Sequence, residues 1–152
     1  MKRYQAAVIV ILTVAAAAWS QTDKDLVGTW KMDASRSKFA SSRDATAVMV
    51  IKYERVGELI RETMMVTVPA GVTTRSFDYP IDGRERANGD GEDRVNAKMI
   101  KKDGALILQW SDDGGIFTRT ITISSDGRTL TIAAHDSNRD VSADDLIVFQ
   151  RQ

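Results

Sequence analysis

The sequence has no cysteine, one histidine and two prolines. Without cysteine there is no disulfide framework, thiolate metal site, cysteine nucleophile or lipid-modified cysteine at a leader-cleavage point, so packing alone must hold the fold. Net charge is also missing. The 21 Lys and Arg balance 21 Asp and Glu, leaving nothing to draw the chain to nucleic acid or to an anionic membrane. The lone histidine, His135, stands beside Asp136 and Ser137. Adjacent strand residues point to opposite faces, and no nucleophile elbow or oxyanion motif accompanies them. A solvated turn histidine is expected there, not a Ser/His/Asp catalytic set. Asn88-Gly89-Asp90-Gly91-Glu92-Asp93 offers oxygen donors and glycines, but it lacks EF-hand spacing and a distal bidentate Glu, and it reads as a flexible loop. No metal, cofactor or catalytic group is expected, and the protein reads as a non-enzyme.

Long apolar runs are absent except at the N-terminus. Lys2 and Arg3 precede an apolar stretch from Ala6 to Ala18, followed by small residues at Ala16-x-Ala18 and Ala18-x-Ser20, the tripartite pattern of a secretory signal. A segment of that length, at about 1.5 Å per residue, falls short of a roughly 30 Å hydrocarbon core, which argues against an uncleaved anchor. The expected organisation is a signal peptide over 1–20 and one domain over 21–152, exported to a periplasm or the exterior. Removing Lys2 and Arg3 from the 21 basic side chains leaves 19 against 21 acidic ones. A domain of about 130 residues can bury roughly two-thirds of its unfolded surface in a single core.

What remains is a succession of short strands and turns. Leu26 to Lys31 is the first extended segment, with Gly28-x-Trp30 giving it one large side chain. Met32 to Asp44 reads as a loop, too short for a substantial helical lid. Alternation sets Ala45, Ala47, Met49, Ile51 and Tyr53 on one face, and Ile60, Glu62, Met64, Val66 and Val68 on one face of the following strand. Val72 to Tyr79 is extended with Pro80 interrupting, and 82–93 forms an exposed polar connection. Val95, Ala97 and Met99 mark another strand. Leu106, Leu108 and Trp110 mark the next, after a turn at Asp103-Gly104. A turn over 112–115 leads to the cleanest alternation, Phe117, Arg119, Ile121 and Ile123 against Thr118, Thr120, Thr122 and Ser124. Asp126-Gly127 is the strongest hairpin signal, and Leu130, Ile132 and Ala134 lead on towards a last strand over 146–151. Eight to ten short strands without an amphipathic helix predict an antiparallel barrel or sandwich, and the barrel is preferred because closure removes exposed edges.

Gly28-Thr29-Trp30-Lys31 with Ser37-Lys38-Phe39, Tyr79-Pro80-Ile81-Asp82-Gly83, the hairpin from Ser124 to Thr131 and the ending Val148-Phe149-Gln150-Arg151 resemble small exported bacterial proteins described as lipocalin-like, within the calycin group. The resemblance implies an all-β, single antiparallel up-and-down calycin-type barrel with a central cavity for a small apolar ligand. It also implies that Trp30 plugs the closed end with Arg151 lying across it and Gly28 beside it. That cation–π contact would be worth about 0.5–2 kcal/mol.

Arg119 poses the sharpest question, because alternation places a guanidinium among apolar neighbours. It would anchor a ligand carboxylate, or else sit at the rim or pair internally with Glu62. Arg75, Phe77 and Tyr79 share one strand face and could extend a polar end of the cavity. Tyr53, Met49, Met64, Met99, Trp110 and Phe117 are candidates to line an apolar pocket or to fill a solid core. The expected function is carriage or sequestration of a small hydrophobic molecule, with or without an anionic end. The alternative is a ligand-free cell-envelope protein-interaction module. A lipocalin-like enzyme comes next, and an outer-membrane barrel last, because no aromatic girdles are evident.

Overall fold

The computed structural model describes residues 25–40, 47–89, 94–112, 115–138 and 144–152. The signal peptide expected over 1–20, Ala45, the acidic half of the 88–93 loop and the middle of the 112–115 turn lie outside the described residues. Among the described residues no helix is long and apolar enough to cross a membrane.

The described residues form ten strands: β1 (Gly28–Met32), β2 (Val48–Val56), β3 (Leu59–Val68), β4 (Gly71–Pro80), β5 (Arg86–Asn88), β6 (Val95–Lys102), β7 (Ala105–Asp112), β8 (Gly115–Ile123), β9 (Thr129–Asp136) and β10 (Asp145–Arg151). They belong to one sheet in the order β4-β3-β2-β1-β10-β9-β8-β7-β6-β5, with every ladder antiparallel. The last strand pairs with the first, setting Trp30 opposite Arg151. The result is an all-β, up-and-down, nearly closed barrel. It departs from full closure at one seam, where β4 and β5 share no ladder.

The sequence explains most of these elements through alternation and turn chemistry. Rows of facing residues such as Trp30, Ile51 and Met64, or Tyr53, Glu62 and Phe77, turn to the same side of the sheet, because directly opposed residues in an antiparallel pair share a face. The β6–β7 hairpin turns through Asp103 and Gly104, both with left-handed φ (51° and 80°), the conformation that a two-residue hairpin demands. Alternate hairpins lie at opposite ends. Gly57, Gly83, Gly104 and Gly127 fall at one end with Trp30 and Arg151, and Pro69-Ala70 falls at the other with the β1–β2 connection. We call these the closed end and the mouth.

Three local expectations change. Leu26 has helical conformation and precedes β1, where it accepts a 2.9 Å hydrogen bond from the Trp30 indole N–H. Pro80 does not interrupt its strand. It ends β4 opposite Leu59, and β4 borders the seam, where an edge strand tolerates a residue without an N–H. The 82–93 stretch is no mere exposed connection, since it contains β5, and Asn88 there is buried. The Asn88 side-chain oxygen accepts the Asp78 N–H at 2.7 Å, and its amide donates to the Arg86 carbonyl at 3.2 Å. One amide thus satisfies backbone groups that the missing ladder leaves at the seam.

Over its described residues, 33–40 and 47, the β1–β2 connection is a loop. Its turn at Asp33 is held by a hydrogen bond from Ser35 Oγ, which keeps the Asp33 carboxyl below the usual range. The chain then rejoins the sheet by a bridge from Lys38 to Leu146, and Phe39 packs against the core.

Candidate functional site

The lumen-facing residues fall into three zones. At the closed end Leu26, Trp30, Ile60, Tyr79, Leu106, Ile121, Leu130 and Phe149 are buried, each such side chain contributing about 1.5–3 kcal/mol by leaving water. The Arg151 guanidinium lies 4.2 Å from the Trp30 ring centroid. It also donates to the carbonyls of Gly127 (2.7 Å), Val27 (2.9 Å) and Asp25. Gly28 makes room for it: with φ at +144°, a Cβ there would sit 2.7 Å from Arg151 Nη1. Beside the β1–β10 ladder, one cation therefore ties the approach to β1 and the end of β10 to the β8–β9 turn.

Above this plug lies a polar layer. Arg119 of β8 reaches across the lumen to Glu62 of β3, Nη1 to Oε1 at 3.0 Å. Tyr53 donates its hydroxyl to the other oxygen of the same carboxylate at 2.8 Å. Glu62 is 0 % exposed, whereas the Arg119 side chain keeps 18 % of its surface. Of the alternatives the sequence leaves open for Arg119, the structure has the internal pair with Glu62. The guanidinium also stacks over Trp110, 4.8 Å from the ring centroid.

Burial, followed by the Glu62 carboxylate, pushes the Tyr53 hydroxyl well above its ordinary pKa, and the same two influences raise Tyr79. Burial opposes the charge on Arg119, but Glu62 and the two phenols outweigh it and hold the guanidinium protonated. The layer thus pairs the Arg119 guanidinium with the Glu62 carboxylate beside two phenols that burial holds protonated.

The third zone is the mouth. Met49, Met64, Phe77, Trp110 and Phe117 are only partly buried although their rows face the lumen. Trp110 and Phe117, opposed on β7 and β8, stack with centroids 5.4 Å apart, and Phe77 stacks on Tyr79 at 6.2 Å. Arg75 lies opposite Met64 and is exposed.

The sequence-proposed site residues therefore divide. Tyr53, Glu62, Tyr79 and Met99 belong to the packed interior. Met64, Trp110, Phe117 and Arg75 stand at the mouth, and Arg119 joins the two zones.

Two functional-looking features were not foreseen. Asn88 carried no signal, being one polar residue in a polar stretch. His135 is not a solvated turn residue: it lies within β9, and its Nδ1 is 2.7 Å from Asp144 Oδ1, across the stem of the β9–β10 connection. Only the strand register reveals that partner. A separate surface cleft of about 300 Å³ opens at the seam, lined by Arg61, Ser76, Asp78, Arg86 and Asn88. Within it Arg61 and Asp78 form a two-pronged ion pair at 2.8 and 2.9 Å, which lowers the pKa of Asp78.

No family model matches the sequence, and no curated protein matches it. Solved structures do share the fold. The fluorescent protein UnaG matches at 15 % identity and a TM-score of 0.66, over 85 % of this chain and 98 % of that one. Apo lipid binding protein 8 of Caenorhabditis elegans matches at 11 % and 0.65, over 85 % and 96 %. Fatty-acid-binding protein 1 of Echinococcus granulosus matches at 12 % and 0.60, over 84 % and 98 %. At these identities the likeness is one of architecture, and the chain has the calycin-type barrel fold that the first-strand Gly-x-Trp and the closing arginine imply.

Proposed function

We propose that the protein is a non-enzymatic binding barrel which, exported to a periplasm or the cell exterior, carries or sequesters one small hydrophobic molecule. The observation that carries this reading is the uneven burial of the lumen face. Its closed half is largely buried, while Met49, Met64, Phe77, Trp110 and Phe117 turn inward at the mouth and still meet solvent. Aromatic rings and flexible thioethers at the top of a barrel form an adaptable apolar surface, which gains by exchanging water for a ligand. The fatty-acid- and lipid-binding proteins among the structures of like fold support the same use of the lumen. Arg119, Glu62 and Tyr53 form the floor against which the ligand ends.

Solvent extraction of the purified mature protein, followed by mass spectrometry, tests this. A reproducible, stoichiometric apolar small molecule is the expected result. Its absence, together with no saturable binding of apolar probes, overturns the reading.

A second reading, a cell-envelope interaction module, is favoured by the outer face near the mouth. There Val48 and Val72 flank Thr67 on neighbouring strands, and Val72 is 62 % exposed. Under that reading Val72→Lys abolishes partner capture and leaves probe binding intact.

A further inference from the structure

We infer that the ligand is a single-chain amphiphile held tail-inward, with a carboxylate head at Arg75 on the rim of the mouth. This rests on the carrier reading above and adds to it the charge and direction of the ligand.

The two lumen-row arginines differ in how far their positive charge is available. Arg119, the deeper lumen cation, already faces Glu62 at 3.0 Å, and that carboxylate is 0 % exposed and also bonded to Tyr53. A second carboxylate placed at this floor would share one guanidinium with a buried anion, which like-charge repulsion opposes in a medium of low dielectric. The floor suits an uncharged end, since its one guanidinium is already paired and the side chains above it, Trp110, Phe117 and Met64, are apolar.

Arg75 differs in each respect. Strand register runs from buried Trp30 through Ile51 and Met64 to Arg75, so it belongs to the lumen-facing row. It is exposed, and it has no hydrogen-bond or ion-pair partner among the described residues. Among the described residues of the facing wall, Asp136, opposite Phe117 on β9, and Asp145, opposite Ala134 on β10, are acidic, and both are already engaged, Asp145 by the Ala40 N–H at 2.7 Å. One strand thus presents, in order from rim to floor, a free cation at Arg75, a ring at Phe77 and a second ring at Tyr79. That order matches an amphiphile whose head remains in water at the rim and whose chain descends along the rings. A guanidinium fork can engage both carboxylate oxygens there. Because the pair is solvated, its effect is modest and sensitive to salt.

The test uses the purified mature protein and two fluorescent polyene probes of equal chain length, an acid and its primary alcohol. The wild type is expected to bind the acid roughly three- to tenfold more tightly than the alcohol at low salt, and Arg75→Met to remove that preference. In the same titration a fatty acid brominated at the tail end is expected to quench Trp110 more than one brominated beside the carboxylate. An acid-to-alcohol ratio that Arg75→Met does not alter, or stronger quenching by the head-brominated acid, overturns the inference and leaves the carrier reading standing. Failure of both probes to bind overturns the carrier reading itself, and the inference with it.

Discussion

The closed end and the mouth are built from the same strands, and they treat water in opposite ways. At the closed end Trp30, Leu130 and Phe149 are fully buried, and each guanidinium nitrogen of the stacked Arg151 donates to a carbonyl. At the mouth, inward-facing Met64, Trp110 and Phe117 stay partly wet, and Arg75 is exposed. The Tyr53–Glu62–Arg119 layer divides the two. One end is finished by the chain itself, and the other leaves apolar side chains partly in water. Stability and binding are therefore expected to separate along the barrel axis.

The largest effect is expected from the closed end. Trp30→Ala removes a fully buried indole and the platform beneath Arg151, and should destabilise the fold by about 3–5 kcal/mol in urea denaturation. A loss below about 1 kcal/mol would mean that the plug does not hold the barrel.

Next comes the dividing layer. Arg119→Met leaves Glu62 buried and unpaired, and should cost about 3 kcal/mol, whereas adding Glu62→Leu should recover most of that loss, because an apolar pair needs no partner. A double variant as unstable as the single one would show that the two residues act independently.

The mouth should respond in the other sense. Phe117→Ala is expected to change stability by only about 1 kcal/mol, since the ring is partly exposed, yet to weaken an apolar probe roughly tenfold. Equal losses of stability and affinity would erase the distinction between the two ends.

The smallest effect concerns acid. Asp78 and Asp126 have lowered carboxyl pKa values, through hydrogen bonds from Arg61 and from Ser124 respectively. Each binds a proton less readily folded than unfolded. Their contribution is present above about pH 4 and is lost as pH falls through the lowered values. Thermal midpoints measured from pH 7 down to pH 3 should drop at the acid end, and less steeply in Asp78→Asn. Identical acid profiles would remove Asp78 as a contributor.

The barrel was legible in the sequence because its signals are local. Two-residue periodicity placed Met49, Ile51 and Tyr53 on one face, and Asp103-Gly104 and Asp126-Gly127 fixed hairpins within a few residues of themselves. The facing of Trp30 and Arg151 came from resemblance, and the geometry adds what resemblance did not supply, namely the three carbonyls that Arg151 also holds.

Less legible was whatever depends on register between distant strands. Arg119 and Glu62 could be named as partners, but that they meet rather than leave a free guanidinium follows only from the way β8 and β3 face each other across the lumen. The seam was hidden for a related reason. A three-residue strand is too short for periodicity to reveal, and Asn88 acts there through an amide bonded to the backbone N–H of Asp78. The pairing of His135 with Asp144 was hidden in the same way, across a loop stem.

The central claim, that the mouth half of the lumen is the binding surface, is tested most directly by methyl NMR of the methionines while an apolar probe is added. Met49 and Met64 face the lumen at the mouth, and Met65, 40 % exposed, lies on the opposite face of β3. The account predicts that the Met49 and Met64 signals shift together and saturate at one equivalent while Met65 stays still. Movement of Met65 alone, or none that saturates, would contradict it.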